Sequence, residues 1–382
     1  MPLHFSVGSC IFTGQTKSTK GIIMKTLEEI DQNFKALELN GIPLRFYPVN
    51  AAPFVIEGFP WKHPEKDYYR LPAEMTVNDV SEGALSLANH TSGGAIRFRT
   101  DSAHIALKAD LINSCDMPHM PKIGQNGFDC YRLTGHDPHV VGISRAPQLV
   151  NCHLETMTGE NPEKELCLFQ INMPLYGGAK NIWIGLDPDA QLLPPEPHKI
   201  PKPILFYGSS ITQGGCASRP GNAYTTALCR ELDAPQINLG FSGNGRGEPA
   251  VAHAIASLDL AAFVYDYDHN APTPEHLEQT HEPFFRIIRE AHPELPVLFL
   301  SKCDFKPEYA DDFKRRDIIR RTYENALASG DRNVAYIDGE TLFAGDRRWD
   351  CTVDRCHPND LGFYRMASVI APVLRKLIEN AR

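Results

Sequence analysis

Ile204-Leu205-Phe206-Tyr207-Gly208-Ser209-Ser210-Ile211-Thr212-Gln213-Gly214 is an apolar run that ends in small residues and turns toward a helical pattern beginning near Asn222. A buried strand with this ending lifts one side chain to the open end of a parallel sheet, where α/β sites form. Ser210 is the side chain placed there. Taken alone, a Gly-Ser-Ser turn also fits an ordinary strand-to-helix turn or a helix cap, so its meaning depends on the rest of the chain.

Downstream the pattern repeats. Apolar runs at Ile204–Tyr207, Gln236–Leu239, Ala262–Tyr267, Val297–Ser301 and Val334–Asp338 alternate with segments whose apolar residues recur every three or four positions, among them Tyr224, Leu228, Leu232 and Phe363, Met366, Ile370, Leu374. Continuous apolar runs suit strands buried on both faces, and strand-helix alternation predicts a parallel sheet covered by helices on both sides. Helices are also expected over Val251–Leu258, Leu277–Ile288 and 310–329.

Upstream the character changes. From about 41 to 196 the chain shows short alternations such as Ala95–Thr100 and His104–Lys108, with further runs at Leu166–Ile171 and Asn181–Leu186, and hardly a helical period. Many short strands with frequent turn residues predict an all-β sandwich, jelly-roll-like. Leu192–Pro203 carries five prolines and reads as the linker. The expected organisation is an N-terminal extension with a short helix at 1–40, an accessory β domain at 41–196 and an α/β domain at 197–382. Met24 opens the helical pattern of the extension, and residues 1–23 read either as a disordered extension or as an upstream start.

Composition narrows the function classes. With 382 residues the chain exceeds the usual size of one core. A net charge of −9 and the lack of a Lys/Arg run argue against nucleic acid or anionic membrane as partners. No apolar segment approaches the roughly 20 residues that span a bilayer. The N-terminus lacks a basic start followed by an apolar stretch, and ten cysteines without a CxxC pair read as reduced thiols, which together point to a cytoplasmic setting. Cys351, Cys356 and His357 lie close in sequence, but without a second cysteine pair they read as structural thiols, so no metal or cofactor is expected.

The strand ends hold the chemistry. Ser210 follows the first strand; Gly240-Phe241-Ser242-Gly243-Asn244-Gly245 follows the second; Asp268-His269-Asn270 follows the third; Asp354-Arg355-Cys356-His357-Pro358 precedes the last helix. A serine hydroxyl needs an imidazole to take its proton, and the imidazole needs a carboxylate to fix its tautomer. His357 and Asp354 supply both. Backbone N–H groups of Ser210 and Gly243 and the amide of Asn270 are candidate donors to an oxyanion.

Gly208-x-Ser210-x-Thr212, the Asn-Leu-Gly-Phe-Ser-Gly loop with Gly243, Asn270, and Asp354-x-x-His357-Pro358 resemble the four ordered motifs of the SGNH (GDSL-like) hydrolases. The resemblance covers about residues 203–382. It implies a flavodoxin-like three-layer fold, Ser210 as nucleophile, Asp354 and His357 as the rest of a triad, and an oxyanion hole of Ser210, Gly243 and Asn270. The preceding β domain is similar to the arrangement of some carbohydrate esterases and acyltransferase-like members. Two motifs depart from the common form: His269-Asn270-Ala271 stands where many members have Gly-Asn-Asp, and Gly208-Ser209-Ser210 replaces Gly-Asp-Ser.

The implied activity is hydrolysis of a short acyl ester, such as an acetate, of a sugar or similar polar metabolite. No long apolar lid is visible near the motifs. A thioesterase or lysophospholipase would use the same residues, and a glycan-binding protein with an idle triad is an alternative of another class. Glu248 and Asp268 are further candidates for contacting substrate, although an acid in the first turn of a helix also suits the dipole. Met117–Met120 and Phe128–Tyr131 of the β domain either overhang the site or pack within the sandwich.

Overall fold

A computed structural model describes residues 39, 41–114, 116–135, 139–147 and 151–381, which belong to one compact unit spanning Glu38–Arg382. The expected helix in the first 40 residues lies outside the described part.

Before the proline-rich segment run β1 (Arg45–Pro48), β2 (Val55–Glu57), α1 (Glu82–Leu87), β3 (Ala95–Thr100), β4 (His104–Ser114), α2 (Lys122–Asn126), β5 (Phe128–Arg132), β6 (His139–Ser144), β7 (Cys152–Glu160), β8 (Cys167–Asn172), β9 (Gly177–Leu186) and β10 (Leu192–Leu193). They make two antiparallel sheets, β1-β9-β4-β7 and β10-β3-β8-β5-β6, with β2 joined to β3. Ile96 and Phe98 of β3, Ile105 and Leu107 of β4, Phe169 of β8 and Ile184 of β9 share one core, as a sandwich requires. Alternation explains the other face of β3: Arg97 pairs with Glu57 at 3.1 Å and Arg99 with Glu196 at 2.9 Å.

The proline segment is held on both sides. Its first two residues form β10, paired with Thr100 and Arg99. Arg99 then donates to the Pro194 carbonyl, and His198 sits between Glu57 at 2.9 Å and Asp233 at 2.8 Å. Prolines cannot supply ladder donors, so side chains fasten the segment instead.

The remaining elements are β11 (Ile204–Gly208), α3 (Ser210–Gln213), α4 (Tyr224–Leu232), β12 (Gln236–Gly240), α5 (Pro249–Ala256), β13 (Ala262–Asp266), α6 (Pro274–Ala291), β14 (Val297–Leu300), α7 (Ala310–Ala328), β15 (Val334–Ile337) and α8 (Asp360–Asn380). The strands form a parallel sheet in the order β12-β11-β13-β14-β15, a doubly wound, flavodoxin-like arrangement. Ile204, Phe206 and Val264 face Tyr224, Leu228, Phe363 and Ile370, while Leu205, Tyr207 and Phe263 face Val251, Leu277, Phe284 and Ile319. Both faces are apolar, which is why these strands read as continuous runs. The N-terminal part enters both cores: Met120, Leu175 and Tyr176 join the first, and Tyr69, Leu71 and Leu87 the second. The strand order reverses at β11, so a crevice opens between the carboxyl ends of β11 and β13.

Candidate active site

Ser210 opens α3 directly beyond β11. The cap of this helix is Ser209, whose hydroxyl accepts from Ile211 N at 3.1 Å while the Thr212 hydroxyl accepts from Ser209 N at 3.2 Å. Ser209 therefore does the capping, and the Ser210 hydroxyl is released from it. Close backbone approach makes the turn depend on glycine. A Cβ on Gly208 would stand 2.3 Å from the Asp266 carbonyl and from Thr212 Oγ1, and one on Gly245 would stand 2.3 Å from the Gly208 carbonyl. Beneath the turn, Asp266 Oδ2 accepts from Thr212 Oγ1 at 2.8 Å and from the Tyr224 hydroxyl at 2.7 Å. Burial raises the Asp266 pKa to about 6.

The Ser210 hydroxyl lies 2.9 Å from His357 Nε2. His357 Nδ1 lies 2.7 Å from Asp354 Oδ2, and the other Asp354 oxygen accepts from the backbone N–H of Cys356 and His357. A carboxylate beside Nδ1 assigns the ring proton there and leaves Nε2 to accept from serine. Burial works against ionisation of Asp354, but these hydrogen bonds and the His357 ring hold its pKa below the ordinary value. The loop is shaped by Arg355, at φ 68, and by a bridge between Thr352 and Pro358, after which Asn359 caps α8.

Opposite the serine runs the β12–α5 loop. Gly243 is left-handed at φ 70 with nothing within 4 Å of an added Cβ, so its N–H is presented from an open turn. Asn270 accepts from Gly245 N at 3.4 Å through Oδ1, and its Nδ2 has no acceptor among the described residues. Two buried groups brace this loop. Gln213 accepts from Ser242 N at 3.0 Å, and Arg70 donates to the carbonyls of Asn238, Gly240, Leu87 and His90, with no carboxylate beside it among the described residues. Ser81, the cap of α1, donates to Asn244 Oδ1 at 2.7 Å. The N-terminal part thus supports the loop that carries Gly243.

Ser210, Gly243, Asn270 and His357 line one cleft of about 510 Å³. Asp268 also lines it, fully buried, accepting from Lys302 N at 3.0 Å with Arg315 at 3.6 Å. Glu248 does not line it: its carboxylate accepts from the Tyr207 hydroxyl at 3.0 Å and from Arg246 N at 3.2 Å. Met120 is buried in a core, whereas exposed His119 sets its ring 5.8 Å from that of His357, tilted by 54°. Asp129 and Tyr131 bond Arg219 and Gly221 on the side of the sandwich.

Sequence reasoning missed the far wall. Asp304 bonds His269 Nε2 at 2.7 Å and Lys306 Nζ at 3.0 Å, and Lys302 bonds Asp312 at 3.0 Å. Burial opposes charging of His269, and Asp304 outweighs it, so the imidazole pKa is raised. The signal for Lys302 and Asp304 was their place just beyond β14, the carboxyl end of the fourth strand.

With this geometry in view, comparisons with known proteins are informative. The model of the GDSL-like lipase/acylhydrolase family matches residues 201–375, and the model of the N-terminus of SGNH-hydrolase-type esterases matches residues 44–192. No curated protein sequence matches. Among solved structures, a protein described as a GDSL-like lipase from Bacteroides ovatus is similar at 27% identity and TM-score 0.77, covering 88% of this chain and 98% of its own. Two others share the fold. A salicylyl-acyltransferase from a tetracycline biosynthetic pathway has 19% identity and TM-score 0.71 over 87% of this chain and 97% of its own. An acetyl xylan esterase from the rumen bacterium Butyrivibrio proteoclasticus has 11% identity and TM-score 0.55 over 88% and 100%. The two matched regions cover most of the chain in the order of its two sheet types: residues 201–375 are a GDSL-like lipase/acylhydrolase domain, residues 44–192 the N-terminal part of an SGNH-hydrolase-type esterase, and the protein is a carboxylic ester hydrolase of that type.

Proposed function

We propose that the protein hydrolyses a short acyl ester, most simply an acetate, of a carbohydrate or similar polar hydroxylated metabolite through an acyl-enzyme on Ser210. The observation that carries the chemistry is the continuous chain Ser210 Oγ, His357 Nε2, His357 Nδ1 and Asp354 Oδ2, at 2.9 and 2.7 Å. As Ser210 Oγ attacks the ester carbonyl, its proton passes to His357 Nε2, and Asp354 stabilises the imidazolium. The carbonyl oxygen becomes an oxyanion served by the N–H of Ser210 and Gly243 and by Asn270 Nδ2. On collapse, His357 returns the proton to the departing alkoxide. Water, deprotonated by His357, then attacks the acyl-serine; the acid leaves and Ser210 is restored.

The cleft's chemistry supports the substrate class. None of its lining residues carries an aliphatic or aromatic hydrocarbon side chain; Lys302, Lys306, Arg315, Asp268 and Asp304 are among them. Such a wall hydrogen-bonds hydroxyl groups and gives a long acyl chain nothing apolar to bury against. The acetyl xylan esterase with the same fold agrees with this reading. No helix of the described residues is long and apolar enough to cross a membrane.

The test is acetate release from a panel of acetylated sugars, alongside chromogenic esters of increasing acyl length, with wild type and Ser210→Ala. Acetyl esters are expected to react fastest, and Ser210→Ala to lose about 10⁴-fold or more. Equal rates would sink the chemistry. A preference for chains beyond about eight carbons would replace the substrate class with a thioesterase or lysophospholipase type.

A further inference from the structure

Beside His357, three metal-ligand side chains converge that the hydrolytic chemistry does not use together. One ligand atom each of His119, Cys216 and His357 lies within 4.8 Å of the others. They come from three separate stretches: the loop before α2, the turn after α3 and the Asp354–His357 loop. Cys216 is a free thiol, 3% exposed, at the left-handed φ of 77. His119 is exposed, its ring 5.8 Å from that of His357, and makes no hydrogen bond among the described residues.

Burial holds Cys216 as a thiol, so a cation binding there displaces its proton to water. Two imidazoles and the resulting thiolate make a zinc-type donor set, for which a fourth ligand completes a tetrahedron. Bonds of about 2.0–2.3 Å place tetrahedral ligands about 3.3–3.8 Å apart. Closing from 4.8 Å therefore takes roughly 1 Å, within reach of rotation about the two free bonds of an exposed histidine. Nδ1 of His357 is held by Asp354 at 2.7 Å, so the nitrogen left for a cation is Nε2. A carboxylate on the far nitrogen of a metal-bound imidazole is the usual outer support of such sites. Ser210 Oγ, 2.9 Å from Nε2, is an oxygen close to that nitrogen, and it or a water can complete the set.

We propose that His119, Cys216 and His357 form an inhibitory site for a zinc-type divalent cation, which occupies the imidazole nitrogen that would take the serine proton. The inhibitory consequence rests on the role of His357 as the base under the proposed function; the coordination does not. A second cluster, His269, Asp304 and Cys356, is less suited, because Lys306 at 3.0 Å and Lys302 at 3.7 Å already neutralise its carboxylate.

The test uses purified full-length enzyme, a chromogenic acetate ester, and His119→Ala and Cys216→Ala beside wild type. Zinc is expected to inhibit wild type at micromolar concentration, with reversal by a chelator. Losing an outer partner of a metal ligand costs about 10- to 100-fold in affinity, so losing a direct ligand is expected to raise the half-inhibiting zinc concentration at least about tenfold. His119→Ala should keep its activity without zinc. Independently of activity, cobalt added to wild type should give a near-ultraviolet thiolate-to-metal absorption that Cys216→Ala lacks. Zinc that inhibits both variants as strongly as wild type overturns the site, as does a cobalt spectrum without the thiolate band. A thiolate band without inhibition overturns the inhibitory claim, and the role of His357 as base is then read separately from the pH–rate profile of His357→Gln.

Discussion

Asn270 offers a perturbation whose cost to chemistry and cost to folding separate cleanly. Its Oδ1 takes one long hydrogen bond, 3.4 Å from Gly245 N; the residue lines the cleft, and its Nδ2 has no acceptor among the described residues. Asn270→Ala therefore loses one weak internal bond, worth under about 1 kcal/mol, and one donor to the oxyanion. Loss of such a donor costs about 3 kcal/mol at the transition state, or 10²- to 10³-fold in kcat. Asn270→Asp keeps an oxygen for Gly245 but sets a carboxylate where negative charge develops, so its kcat should fall further. Steady-state kinetics on an acetate ester, paired with thermal unfolding, measure both quantities. The expected result is a kcat loss with KM little changed and a small shift in Tm. If Asn270→Ala keeps kcat within about threefold, or raises KM alone, the amide serves binding and not the oxyanion.

Other outcomes rest on the same geometry. Gly243→Ala should cost only the left-handed backbone, about 1–2 kcal/mol, and keep most activity because its N–H remains; Gly208→Ala, with contacts of 2.3 Å, should lose far more activity and stability, and equal behaviour of the two would refute the close-approach account. Asp266, raised from 3.8 to about 6, destabilises the fold as it ionises: its contribution is whole below the unfolded value and lost as pH rises through about 6. That difference corresponds to about 3 kcal/mol, so the stability of Asp266→Asn relative to wild type should grow by about that much between pH 4 and pH 7 in denaturant titrations, and a flat difference would contradict the shift. For the base, His357→Gln should abolish the acid limb of the pH–rate profile; an unchanged limb would move the assignment elsewhere.

Much of the parallel sheet was legible because burial on both faces leaves unbroken apolar runs. All five expected strands start where the observed ones do, and each ends within one residue. The motif residues were legible for a related reason, since a parallel sheet brings the loops beyond its strands to one edge. Less visible were the features that depend on distant partners. Arg70 bonds carbonyls 17 to 170 residues away, and no local pattern marks it. Helix α1, six residues long, is too short to show a period, yet its cap reaches Asn244. The proline segment reads as a bare linker because its fastening comes from Arg99 and His198, not from its own backbone. The motif position singles out Ser210 over Ser209, but the task of Ser209 shows only in the capping geometry.

The central claim is that Ser210 carries the acyl group between the two half-reactions. Rapid acid quenching of enzyme turning over an acetate ester, followed by digestion and mass spectrometry of the peptide spanning 204–219, tests it directly. The account expects an acetyl adduct on Ser210 in wild type, increased in a variant slowed at deacylation and absent from Ser210→Ala. An adduct that persists in Ser210→Ala, or turnover by wild type with no serine adduct under any quench, would contradict it.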